Sequence, residues 1–231
     1  MTDLNALFLG LARPVACRGA GAALALALSA CASAPPAPDW QVSAKGATER
    51  ATAAYLEGNL RVADAEFDKA RQELARTGRP EVLALAELLR CAGQVASLEL
   101  EPCARFDALR PDATAPVLAY ADYLAGRVLT PQDLALLPQA QRAVAVAGTN
   151  EAALGAITDP LSLLVASGVL FQTGRASPAV VALAVDTASA QGWRRPLLAW
   201  LGVQLRLAEQ AGQMQEAARI GRRVDLVRGA R

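Results

Sequence analysis

Short apolar segments bounded by polar caps and glycines recur in the second half of the chain. The segment "DPLSLLVASGVLFQTG" begins at Asp159 and ends at Gly174, and "SPAVVALAVDTASAQG" begins at Ser177 and ends at Gly192. Asp and Ser cap the first turn of a helix, Pro is favoured directly after the cap, and Gly is favoured just beyond the last turn. The two segments therefore predict two helices, which the short turn between them would pack antiparallel.

Composition extends this prediction to the whole chain. Hydrophobic residues make up 53% of the 231 residues but aromatic residues only 4%, so the apolar content is mostly Ala, Leu and Val. Ala and Leu lose little free energy on entering a helix, whereas sheets favour β-branched and aromatic residues. We therefore expect an all-α protein with roughly ten helices and no strand.

The middle of the chain is less regular. Residues 115–126 predict one helix, and a second begins after Thr130 but is broken at Pro138, because an internal proline cannot donate the helical hydrogen bond. A third, short helix is predicted after Thr149 as its cap.

The amino-terminal residues have the pattern of an export signal. Arg13 and Arg18 precede an apolar stretch at 19–28 that is too short to cross a bilayer. The following "LSAC", residues 28–31, resembles a bacterial lipobox, in which the cysteine receives a diacylglyceryl group and signal peptidase II cuts before it. The resemblance implies a lipid on Cys31. The alternative is an ordinary signal peptide cleaved near "ACASA".

This resemblance divides the chain into three parts. Residues 1–30 are expected to be a cleaved signal peptide, residues 31–46 a lipidated, Ala/Pro-rich tether, and residues 47–231 a helical domain. Ala32 follows the cysteine, where lipoproteins retained in the inner membrane usually carry Asp. The resemblance therefore implies a lipid anchor in the outer membrane, on its periplasmic face.

Two cysteines remain in the expected helical domain. Cys91 and Cys103 would reside in an oxidising compartment, and their spacing is not the C-x-x-C of redox sites. We expect a structural disulfide that stabilises the domain by about 3 kcal/mol, with a free pair as the alternative. Gly93 and Pro102 are interpreted as breaks, so that the bond ties the end of one helix to the irregular segment after a second.

Two helix pairs resemble the tetratricopeptide repeat. The first, residues 51–74, has the pattern Tyr55, Gly58, Leu60, Ala63, Phe67 and Ala70, and the second, residues 195–226, has Gly212, Met214, Ala217, Gly221 and Val224. In that family small residues let two antiparallel helices approach closely. The resemblance implies a TPR-like α-solenoid, a right-handed superhelix of antiparallel pairs. An orthogonal helical bundle is the alternative.

The residue content also bears on catalysis and on partners. The chain has no histidine, so nucleophiles of the Ser-His and Cys-His type cannot be built, and no glycine-rich phosphate loop follows a strand. We therefore expect no enzyme, no cofactor and no metal site. A formal net charge of +1 does not supply the basic excess that nucleic-acid binding requires.

One turn is a candidate contact site for a protein partner. Trp193 lies in "QGWRRP" beside Arg194 and Arg195, where an aromatic ring with adjacent cations suits a contact, although packing in the core is the alternative. Helical-repeat lipoproteins resemble this plan and serve envelope assemblies, which implies a protein-binding scaffold or assembly factor. The alternatives are an accessory or regulatory lipoprotein of cell-wall enzymes and a purely structural envelope lipoprotein.

Overall fold

A computed structural model describes residues 37–147 and 151–229, and all regular structure within these ranges is helical. The predicted all-α class is confirmed. The helices α1 to α12 span Asp39–Glu57, Leu60–Ala75, Pro80–Ala96, Ala104–Asp107, Ala115–Leu124, Pro131–Leu136, Gln139–Ala147, Glu151–Gly155, Pro160–Gln172, Pro178–Ala190, Arg194–Gln210 and Met214–Gly229. A single 3-10 turn at Arg110–Asp112 separates α4 from α5.

Local capping determines where several helices begin, as the sequence predicted. The side chain of Asp159 accepts a hydrogen bond of 2.9 Å from the Ser162 N–H at the start of α9, and Ser177 does the same for α10. Thr130 caps α6, and the break at Pro138 separates α6 from α7. Thr149 lies outside the described residues.

The first helix begins earlier than expected. Helix α1 starts at Asp39, inside the segment 31–46 that was assigned to the tether, so the predicted start of the helical domain at residue 47 is corrected to Asp39. Trp40 and Ala44 provide the reason, since both pack in a small cluster whose other members come from α2, α3 and the turn after α4. Burial of an aromatic ring outweighs the weak local signal of the preceding Ala/Pro-rich residues.

Helices α3 and α9 cross at the centre of the molecule. Ten of the 13 residues of α9 are buried, and α3 packs against α1, α2, α5 and α9. At the crossing, a Cβ atom added to Gly168 would lie 2.3 Å from the carbonyl oxygen of Val95. Only glycine therefore lets the two backbones approach this closely.

Contacts between distant helices close the array. Helix α11 packs against α10 and α12 and also against α1, near the other end of the helical part. The buried Trp200 of α11 donates its indole N–H to the carbonyl oxygen of Ala96 at 3.0 Å, across 104 residues of chain. Solenoid repeats contact only their neighbours, so these contacts favour the closed bundle, and the TPR-like superhelix is not confirmed.

The two helix pairs that resemble the repeat family are both present as hairpins. Ala63 and Ala70 are buried at 1% exposure in the α1–α2 pair, and Ala217 is buried in the α11–α12 pair. Two large apolar residues of the pattern, Leu60 and Met214, are instead exposed. The small residues thus mark close helix contacts, whereas Leu60 and Met214 do not fill a wedge between helices.

Candidate functional site

Cys91 and Cys103 are joined by a disulfide, with their Cα atoms 6.0 Å apart. Cys91 lies in α3 and Cys103 directly precedes α4. Gly93 is not a break, because it lies inside α3, with the ring of Tyr55 packed next to it. The bond therefore ties α3 to the segment that follows the same helix, and the expectation of a second helix between the cysteines is corrected.

Arg195 belongs to a cluster that joins three parts of the chain. Its guanidinium pairs with Glu99 and lies 4.7 Å from the ring centroid of Tyr55, and the hydroxyl of Tyr55 donates to Glu99 at 2.7 Å. Burial and the hydrogen bond to Glu99 raise the pKa of Tyr55, so the hydroxyl remains a neutral donor. The cluster connects α1, the segment after α3, and α11.

The other two residues of the predicted contact turn also have internal partners. Trp193 is half-buried at the start of α11 and packs against the main core. Arg194 donates to the backbone carbonyl oxygen of Arg228 at 3.1 Å, which links the start of α11 to the end of α12. The structure brings Trp193, Arg194 and Arg195 together at one turn, and their contact with a partner stays a prediction.

A cleft that the sequence analysis did not identify lies where α5 and α9 end, next to α6 and α7. We call it the Tyr123 cleft. It has a volume of 290 Å³. Its apolar lining comes from Val128, Leu129, Leu134, Ala145 and Val169, and its polar lining comes from Tyr123, Arg127, Thr173 and Arg175.

Two helix ends place the arginines of this cleft. Gly126 follows α5 and Gly174 follows α9, each with a left-handed backbone at φ of 67° and 69°, and an arginine comes directly after each glycine. A Cβ on Gly126 would lie 3.2 Å from Cγ2 of Thr173, so the two helix ends touch. The pair of Gly-Arg dipeptides after apolar helices is the sequence signal that could have identified the cleft.

The two arginines differ in their partners. Arg127 donates to Asp122 at 2.8 Å, and Asp122 also accepts a hydrogen bond of 2.5 Å from Arg110. Arg175 is half-buried and donates through Nε to Thr173 Oγ1 at 3.0 Å. It forms no ion pair within the described ranges. The cleft therefore has an excess of positive charge.

Tyr123, which also lines the cleft, has a buried hydroxyl. Tyr123 is 4% exposed, and its hydroxyl has no hydrogen-bond partner among the residues that the structure describes. Burial raises the pKa of this hydroxyl, and the positive charge of Arg175 opposes the rise. A neutral donor and a guanidinium thus lie close enough to interact electrostatically, and neither is neutralised by a carboxylate there.

A second, smaller cleft lies on the other side of Arg127. Its volume is 250 Å³, and its lining includes Arg110, Glu101, Asp107 and Cys103 of the disulfide. Acidic and basic side chains are mixed here. The second cleft therefore lacks the positive excess of the Tyr123 cleft.

Metal-binding groups and membrane-spanning helices are both absent from the described ranges. No group of three or more Cys, Asp and Glu side chains there could hold a metal ion. No helix in the described part of the chain is both long and apolar enough to cross a membrane. Cys31 and the rest of the "LSAC" motif lie outside the described residues.

Comparisons with known proteins do not identify a family. No protein-family model matches the chain. Neither the curated proteins nor the solved structures contain a match to it.

Proposed function

We propose that the protein is an exported lipoprotein that is anchored in the outer membrane through Cys31 and whose helical domain binds another envelope protein. The observation that carries the proposal is "LSAC" directly after a basic and then apolar leader. The lipid would hold the domain at the periplasmic face, and the domain would act as a scaffold or assembly factor without catalysis.

The disulfide supports export. Cys91 and Cys103 are bonded, and structural disulfides persist mainly in oxidising compartments such as the bacterial periplasm. A cytosolic protein of this kind would keep both thiols reduced. The bond and the leader therefore both favour export to an oxidising compartment.

The helical domain supports a binding role. Its clefts have apolar walls and a few polar groups, a combination that suits recognition of a ligand. The chain has no histidine to act as a general base. The lack of this common general base favours binding of a partner over catalysis.

Labelling with radioactive palmitate tests the lipid anchor. The full chain should incorporate the label, and Cys31→Ala should abolish both incorporation and processing by signal peptidase II. Cys17→Ala is the matched control, because that cysteine lies within the expected leader, and it should leave labelling unchanged. A Cys31→Ala protein that remains membrane-bound with an unchanged mature mass contradicts the proposal.

Cross-linking in intact cells followed by affinity capture tests the scaffold role. A scaffold should return one envelope protein in stoichiometric amount, whereas a purely structural lipoprotein should not. Replacing Trp193 and Arg194 together with Ala should leave the helical circular dichroism signal intact and reduce recovery of that protein. Undiminished recovery would remove this turn from the interface.

A further inference from the structure

We propose that the Tyr123 cleft binds the carboxyl-terminal residue of an extended peptide, with the terminal carboxylate at Arg175 and the last apolar side chain in the cleft. The inference deepens the proposed function, on which it rests for placing the peptide in a protein partner. The recognition itself depends only on the geometry of the cleft.

The charge at Arg175 selects an anion. Its Nε is held by Thr173, which also lines the cleft, so the side chain has a fixed orientation. A guanidinium presents planar, paired donors that match the two oxygens of a carboxylate. Because Arg175 has no acidic partner in the described ranges, a ligand carboxylate would meet an unpaired cation.

The hydroxyl of Tyr123 supplies a second donor. Buried polar groups in folded proteins are nearly always hydrogen-bonded, and an unpaired one calls for an explanation. Tyr123 lines the same cleft as Arg175, and its hydroxyl is unpaired within the described part of the chain. A carboxylate oxygen would accept from this hydroxyl while it pairs with the guanidinium.

The walls and the size of the cleft limit the ligand. Leu134, Ala145 and Val169 provide an apolar lining. The volume of 290 Å³ is at the lower end of the range of roughly 300–1,000 Å³ that is usual for small-molecule sites. The cleft therefore accommodates one apolar side chain with its carboxylate.

Exposed apolar residues near the cleft favour a peptide over an isolated acid. Val128 is fully exposed at the cleft, and Leu136 and Val146 are exposed on the two helices that supply its wall. These residues offer apolar surface to the positions that precede the terminal one. The second cleft, beside Arg110, is less suited because Glu101 and Asp107 would repel a carboxylate.

A pair of peptides tests the recognition of the carboxylate. Titration calorimetry would compare acetyl-Ala-Ala-Ala-Leu as the free acid and as the amide, each added to the full-length chain in detergent micelles. The free acid should bind, and the amide should bind at least about tenfold more weakly, because it lacks the charge. No binding of the acid, or equal affinity for both, overturns the proposal.

Variants place the binding in this cleft. Arg175→Gln should weaken binding of the free acid about tenfold or more, whereas Arg206→Gln, an exposed arginine of α11 away from the cleft, should leave it unchanged. Tyr123→Phe retains the ring and should also weaken binding. Unchanged affinity in both cleft variants overturns the proposal.

A photoreactive leucine at the end of the peptide gives a readout that needs no variant. It should label the residues around Leu134 or Val169 in the wild-type chain, and labelling confined to α11 and α12 overturns the proposal.

A smaller acid separates a peptide from an isolated carboxylate. The compound 4-methylpentanoate has a carboxylate and a branched apolar group but no peptide bond, so it should bind more weakly than the peptide. Equal or tighter binding overturns the assignment to a peptide. Failure of the peptide to bind would leave palmitate labelling of Cys31 and partner capture unaffected, whereas loss of labelling would leave cleft binding unaffected, so the two failures are distinguishable.

Discussion

The crossing of α3 and α9 and the hairpin of α11 and α12 both bring two helices together, but they do so in different ways. Helix α9 buries ten of its 13 residues and is covered on all sides, whereas α12 buries three of 16. At the crossing, Gly168 lets two backbones approach, while in the hairpin Gly221 has no atom within 4 Å of the position of a Cβ. The same residue type is therefore a packing requirement in one helix and only a loss of helix propensity in the other.

Substitution of the crossing glycine should have the largest effect on stability. In Gly168→Ala, the new methyl would lie 2.3 Å from the carbonyl oxygen of Val95, and a backbone atom cannot move aside as a flexible side chain can. We expect the free energy of unfolding to fall by about 3 kcal/mol or more. Urea unfolding followed by circular dichroism would measure it.

Gly221→Ala is the matched control for this prediction. Because nothing crowds the site in α12, the alanine should stabilise the protein by about 0.5–1 kcal/mol through helix propensity. The distinction between the two regions fails if both substitutions shift the urea midpoint in the same direction.

Loss of the disulfide should have the next largest effect. The bond holds the segment after α3 against the helix that forms the crossing, and it closes a loop with a sequence separation of 12. Cys103→Ser should lower the free energy of unfolding by about 3 kcal/mol in the chain-entropy model. Thermal melting would detect the change.

A reducing agent supplies the control for the disulfide. Dithiothreitol should lower the melting temperature of the wild type to near that of Cys103→Ser and leave the variant unchanged. A variant that melts with the wild type under oxidising conditions would show that the bond does not support the crossing.

Trimming the hairpin core should have the smallest destabilising effect. Ile220 is fully buried between α12 and its neighbours, and Ile220→Val removes one methylene, which should cost about 1 kcal/mol. Leu226 lies on the same helix but is exposed, so Leu226→Met, a change that keeps the helix propensity nearly constant, should leave the unfolding midpoint unchanged. If the variants at positions 220 and 226 lost the same free energy of unfolding, α12 would have to bury a different face.

The parts of the fold that depend on residues close together along the chain could be predicted from the sequence. Asp159, Ser177 and Thr130 cap helices because each side chain reaches an N–H only a few residues away. The all-α class follows from composition for the same local reason. The start of α1 was missed because Trp40 is fixed by contacts with distant helices.

The arrangement of the helices and the cleft could not be predicted in this way. Helix α9 is apolar on every side, so its sequence does not indicate which helix meets Gly168. Tyr123 lies in α5 and Arg175 lies in the turn after α9, and the two become neighbours only when α5 and α9 end side by side. Gly93 was interpreted as a break because glycine disfavours a helix, whereas it lies inside α3, a helix that is stabilised by packing against its neighbours.

The bond from Trp200 to Ala96 makes completion of the core a late step of folding. The indole N–H comes from α11, and the carbonyl that it satisfies was made 104 residues earlier. Hairpins such as α1–α2 form from local contacts, but a closure over so long a loop is slow and comes late. A chain in which α11 has not yet docked therefore keeps the apolar end of α3 uncovered, and this is the interval in which aggregation or a chaperone would compete with folding.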